Sequence, residues 1–151
     1  MLFPVEKLVA RSVILNTCGS KTNPKERIGL LFVLEPILIA GTEPNGKWVE
    51  LERSYKIDFA FKLPGINPAN LKLWSLLGKS FSFPSNPKQG YVESSIYLSC
   101  AHNPIDLLKI TFGENPNQPT IEAHMKFNMA LEGSGYKDFE VTLHGSVAMQ
   151  A

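Results

Sequence analysis

With 151 residues, the chain fits one domain and is long enough to bury roughly 70% of its unfolded surface without a metal or a disulfide framework. Hydrophobic residues make up 44% and charged residues 19%, with nine Phe for large core pieces and eleven Pro and eleven Gly for turns, a composition that predicts an all-β chain with frequent reversals. The formal net charge of +1 supplies no general attraction for nucleic acid or an anionic membrane, so neither is an expected partner.

In chain order, a first-turn helix is predicted over Pro4 to Leu8, then strands over Val9 to Asn16 and Arg27 to Leu34. The apolar run Ile28 to Ala40 is broken by Glu35 and Pro36 and is too short to span a bilayer, which needs roughly 20 residues. Two adjacent buried strands account for it. Glu43-Pro44-Asn45-Gly46-Lys47 has Pro where a type I turn wants its fixed φ, and Gly where the following bulge wants a positive one. This turn sets Ile39 opposite Leu51. The next strand alternates as Leu51, Tyr55, Ile57, Phe59, Phe61 and Leu63 against polar residues, and Arg53 interrupts its apolar face. Gly46-Lys47-Trp48 is similar to the Gly-x-Trp element of lipocalins over those three residues, and assigns no family.

Asn67-Pro68 predicts a helix N-terminus and Gly78 its stop, giving one short helix over about Pro68 to Leu77 with Leu71, Trp74 and Leu77 on one face. Lys79 to Phe83 and Tyr91 to Cys100 read as strands. After an Asn103-Pro104 turn, Asp106 to Phe112 is the expected partner of the second. At the C-terminal end, Ile121, Ala123, Met125, Phe127, Met129 and Leu131 alternate with polar residues, and the pattern resumes from Phe139 to Met149. Both apolar sets are odd-numbered, so residues opposed across this hairpin must share parity. A loop of Ser134 to Tyr136 meets that and sets Phe127 opposite Leu143. Long strands joined by short turns predict one β domain over residues 1–151, built as an antiparallel β-sandwich or flattened β-barrel.

Candidate sites are few. His124 and His144 fall on the polar face of the last hairpin as diagonal neighbours, with Glu122 beside them, and two His with a carboxylate form a possible zinc set. Lys126 stands between them and opposes a cation. Met125, Phe127, Met129, Phe139 and Met149 could line a cavity for a small apolar ligand. Cys18 lacks a base imposed by the sequence, and Cys100 shares an apolar face. His102 and Asp106 flank residues that build turns. No catalytic residue is assigned, and no motif calls for a cofactor.

The first seven residues, Met-Leu-Phe-Pro-Val-Glu-Lys, lack the features of a secretory signal, so a cytoplasmic protein with reduced thiols is expected. The primary expectation is a non-enzymatic interaction or structural domain that binds a protein partner or itself. Its contact would be an exposed sheet face, an edge strand, or the loops Gly19 to Lys25 and Pro84 to Gly90. A carrier of a small apolar ligand is the alternative, followed by a metal-dependent enzyme.

Overall fold

The computed structural model describes residues 3–42, 48–84, 93–98, 101–130 and 135–150. Ten strands carry the fold: β1 (Ala10–Cys18), β2 (Arg27–Leu34), β3 (Ile37–Thr42), β4 (Trp48–Arg53), β5 (Lys56–Phe61), β6 (Ser80–Ser82), β7 (Glu93–Leu98), β8 (Ala101–Phe112), β9 (Thr120–Phe127) and β10 (Phe139–Met149). The all-β expectation holds. Eight strands form one sheet in the order β5-β2-β1-β10-β9-β8-β6, with β7 also on β8, while β3 and β4 make a separate two-stranded sheet. No helix among the described residues is long and apolar enough to cross a membrane.

The large sheet is curled into a half-barrel. Alternation along each strand sends one set of side chains inward. These are Val13 and Leu15 from β1, Ile28, Leu30, Phe32 and Leu34 from β2, and Ile57, Phe59 and Phe61 from β5. The other half supplies Ile105, Leu107, Ile110 and Phe112 from β8, Ile121, Ala123, Met125 and Phe127 from β9, and Leu143 and Val147 from β10. Curling brings β5 beside β7. Across that gap the Phe61 and Phe83 rings meet edge-on at 5.3 Å. One end is stoppered by aromatics: Phe139 stacks between Phe127 at 4.6 Å and Phe3 at 5.0 Å, and Tyr136 meets Phe3 edge-on.

The first and last strands meet in parallel, with Val13, Ile14 and Leu15 opposite Val147, Ala148 and Met149. Every other strand pair in the sheet is antiparallel. The approach is close. A Cβ built on Gly145 would lie 2.8 Å from Val13 Cγ2 and 3.4 Å from Ala10 Cβ, so a side chain there fits only if Val13 gives way.

Three expectations are corrected in detail. The predicted helix over Pro68 to Leu77 is two separate 3-10 turns, Pro68–Asn70 and Leu73–Ser75, joined through extended Leu71 and Lys72. Asn67 does cap the first, accepting from the Ala69 N–H at 3.1 Å. The buried residues are Leu71 and Leu76, whose five-residue separation does not fit one helical face, and Trp74 points outward at 73% exposure. The N-terminal turn is likewise 3-10, at Val5–Lys7.

The last hairpin keeps its parity but not its loop: Phe127 faces Phe139, and Ala123 faces Leu143. The chain leaves β9 early because Asn128 turns to β8. Its N–H donates to the Pro104 carbonyl at 2.8 Å, and its side-chain amide donates to Asp106 Oδ2 at 3.3 Å. Met129 and Tyr136 then fold into the core, and the Ala130 N–H donates to Asp138 Oδ1. Leu131 lies outside the described residues.

Asn103-Pro104 is not a turn but part of β8, opposite Ile96 and Ser95. The Pro104 carbonyl accepts from the Asn128 N–H at 2.8 Å, so the proline forgoes one ladder donor and keeps the acceptor.

Gly145→Val is expected to lower folding stability by about 1–3 kcal/mol through overpacking. The check is a lower urea midpoint at unchanged m. Val13→Ala in the same chain should recover part of that loss, making the two changes non-additive.

Candidate functional site

On the outer face of β9 and β10, polar residues pair across the strands. His144 stands opposite Glu122, and His124 opposite Thr142. Because a carboxylate only accepts, His124 Nε2–H donates to Glu140 Oε1 at 3.1 Å, while His144 Nδ1 lies 3.1 Å from Glu122 Oε1. In its neutral form His124 Nδ1 then accepts from the Thr142 hydroxyl at 3.0 Å.

The two histidines are on one face, as parity required, and are diagonal neighbours, but each is turned to its own glutamate. His124, His144 and Glu122 are thus divided between two pairs, and Lys109 stands opposite His124 on β8. Among the described residues no three His, Cys, Asp or Glu side chains gather to hold a metal. Both pairs are more than one-third exposed, the range in which an ion pair contributes at most about 1 kcal/mol. An open depression of about 400 Å³ beside them is lined by Thr120, Ile121, Glu122, His144, Gly145 and Ser146.

The apolar set divides differently. Met125, Phe127 and Met129 belong to one core cluster, with half-buried Phe139 packed against it. The first three have no accessible surface, so they border no void that admits a water-sized sphere. Met149 does not join them. It sits near the end of β10, 38% exposed, beyond the part of the strand that covers the core. Cys18 is a half-buried free thiol at the end of β1, and Cys100 lies outside the described residues. Of the two candidate loops, Gly19 to Lys25 is exposed throughout, and the second is described only at Pro84.

The chain matches no family model, no curated protein and no solved structure.

What remains distinctive is the ribbon of β3 and β4. It interrupts the β2-β5 hairpin and forms a sheet of its own. Between the pairs Val33–Lys56 and Ile37–Arg53, three residues (Leu34, Glu35 and Pro36) face two (Ser54 and Tyr55). This one-residue excess is a bulge. The junction is tied by the Leu34 N–H donating to the Tyr55 carbonyl at 2.9 Å and the Ser54 hydroxyl donating to the Leu34 carbonyl at 2.7 Å. The bulge switches the inward parity from even in β2 to odd at Ile37, which is buried.

Beyond it Ile39 pairs with Leu51, as the turn predicts, and Thr42 with Trp48. β1 does not follow. Its pairing with β2 ends at Ala10–Leu34 and the Glu35 N–H to Val9 carbonyl bond, and the preceding chain closes on itself as the 3-10 turn. Among the described residues β3 and β4 pair only with each other. The ribbon was legible in its register, while its turn residues Glu43 to Lys47 lie outside the described residues; its isolation depends on where β1 stops, which local patterning does not encode.

The outer wall of β1, β2 and β5 is less polar than that of β9 and β10. Ile14 opposes Leu31, and both are half-buried, as is Val33. Asp58 stands opposite Leu31, and burial raises its pKa above the ordinary carboxyl value. An acid raised in the folded state binds protons there that the unfolded chain has released. Its contribution to stability therefore falls as pH rises from the ordinary value through the raised one. Asp58→Asn should raise the urea midpoint at neutral pH, and the advantage should vanish below the ordinary carboxyl pKa. Urea titrations at both pH values check this, and an equal gain at both would count against the burial argument.

Proposed function

We propose that the chain is a non-enzymatic interaction domain whose contact element is the edge of the β3-β4 ribbon. One observation carries the reading: β3 and β4 form a sheet separate from the half-barrel's, and among the described residues no third strand pairs with either. Isolated two-stranded ribbons are marginal in water. Unpaired strand edges present backbone donors and acceptors that an incoming strand satisfies, the basis of recognition by strand addition.

Three features favour this reading over the others. The interior around Met125, Phe127 and Met129 is filled, which supports action through the surface rather than through a carried apolar ligand. The histidines are occupied by glutamates in exposed pairs, an arrangement that, among the described residues, gathers no metal-ligand set. At the margins of the half-barrel, β5 lies near β7 and β6 spans only Ser80–Ser82.

Site-specific photo-crosslinking in host cells tests the proposal. With a benzophenone amino acid in place of Ala40, on β3, a discrete protein adduct is expected. With the same residue in place of Asn117, in an exposed loop outside the ribbon, none is expected. No adduct from position 40, or equal adducts from both, would overturn the ribbon as the contact element.

A further inference from the structure

We propose that the partner of the ribbon is a second copy of this chain, joined by antiparallel pairing of β3 with β3 across a two-fold axis. This inference rests on the ribbon being the contact element and adds the identity of what binds it.

The two ribbon edges differ in charge. β3, Ile37–Thr42, has the sequence ILIAGT and no charged residue. β4, Trp48–Arg53, has the sequence WVELER and carries Glu50, Glu52 and Arg53. Charged residues on an edge strand guard it against pairing, and β3 has none. Pro36 marks only its start.

Self-pairing also separates the two edges by register. Antiparallel β4 strands related by a two-fold axis through Leu51 would set Glu50 against Glu52 twice, and like charges directly opposed are destabilising. Antiparallel β3 strands centred on Ile39 oppose Leu38 to Ala40 and Ile37 to Gly41, with no charge in the interface. This register joins odd positions to odd positions, so the face that bears Ile37, Ile39 and Gly41 continues unbroken into the second copy.

The result is one sheet in the order β4-β3-β3-β4. Every edge group that one copy leaves unpaired on β3 then lies opposite the same segment of the other. An isologous contact of this kind closes at two copies, and the strands left outermost are the guarded β4 edges. A foreign strand could occupy the same edge, but the uncharged sequence of β3 is already complementary to itself.

The test combines mass and hydrogen exchange on the full chain. Light scattering or sedimentation should show a dimer that dissociates on dilution. Amides of Ile37–Thr42 should exchange more slowly as concentration rises, while those of Trp48–Arg53 stay unchanged. Ala40→Lys places like charges across the two-fold axis and should weaken the dimer by about tenfold or more. Glu50 lies opposite Ala40 within the ribbon, so the new lysine has an intrachain partner and folding should be retained, as checked by circular dichroism.

A monomer at all concentrations overturns the proposal. So does a dimer whose protected amides lie outside Ile37–Thr42, or a folded Ala40→Lys chain that dimerises like the original. A monomer that still crosslinks to a different protein from position 40 sinks self-pairing and leaves the interaction reading intact. A monomer with no such crosslink removes both.

Discussion

The half-barrel depends on a short parallel contact between the two ends of the chain. Without it the sheet is two antiparallel pieces, β5-β2-β1 and β10-β9-β8 with β6 and β7, each offering one apolar face. Pairing of Val13, Ile14 and Leu15 with Val147, Ala148 and Met149, extended by the Gln150 N–H to Leu15 carbonyl bond at 2.9 Å, makes them one surface. Only then do Leu15, Leu30 and Phe32 share a core with Met125 and Phe127. Gly145 is the residue that permits the contact, since its missing Cβ leaves room for Val13 just before the pairing begins. Such a contact joins residues more than a hundred positions apart, so much loop entropy must be lost before it forms. The two antiparallel pieces need no such closure, which makes the parallel seam the expected late step of assembly.

The alternation patterns were legible because they answer to one local rule. Odd residues from Ile121 to Met129 are buried, and the parity argument for the last hairpin survives even though its loop was misplaced. The loop was not legible because its length is set by Asn128, Pro104 and Asp106, which meet only after β8 and β9 have paired. The predicted helix failed for a related reason. Asn67, Pro68 and Gly78 are sound stop and start signals, but burying both Leu71 and Leu76 requires an extended step between two turns. The Arg53 interruption was a true signal whose meaning needed the partner strand. It stands opposite Ile37, the first residue after the bulge.

The candidate sites separate along the same line. That His124 and His144 would share one face followed from parity alone, and it held when the register slipped. Which groups each would meet depended on the register itself, and His124 bonds to Glu140. In the apolar set, Met149 shares the odd parity of its group but lies near the end of β10, where a position that faces inward on the strand has little core left to cover. Periodicity reports the face of a strand and says nothing about how far the core extends along it.

Curling disposes of most edges that an open sheet would expose. β5 comes beside β7, β1 and β10 cover one another, and the short β6 ends with the Phe83–Phe61 contact. The ribbon is outside this sheet: past the bulge at Leu34, Glu35 and Pro36, where β1 stops, β3 pairs among the described residues with β4 alone. A bulge costs ladder hydrogen bonds, and a two-stranded ribbon is marginal by itself. Ile37, buried just past the bulge, joins the same core cluster as Leu34, so the base of the ribbon is anchored in the half-barrel while its two strands, among the described residues, pair only with each other.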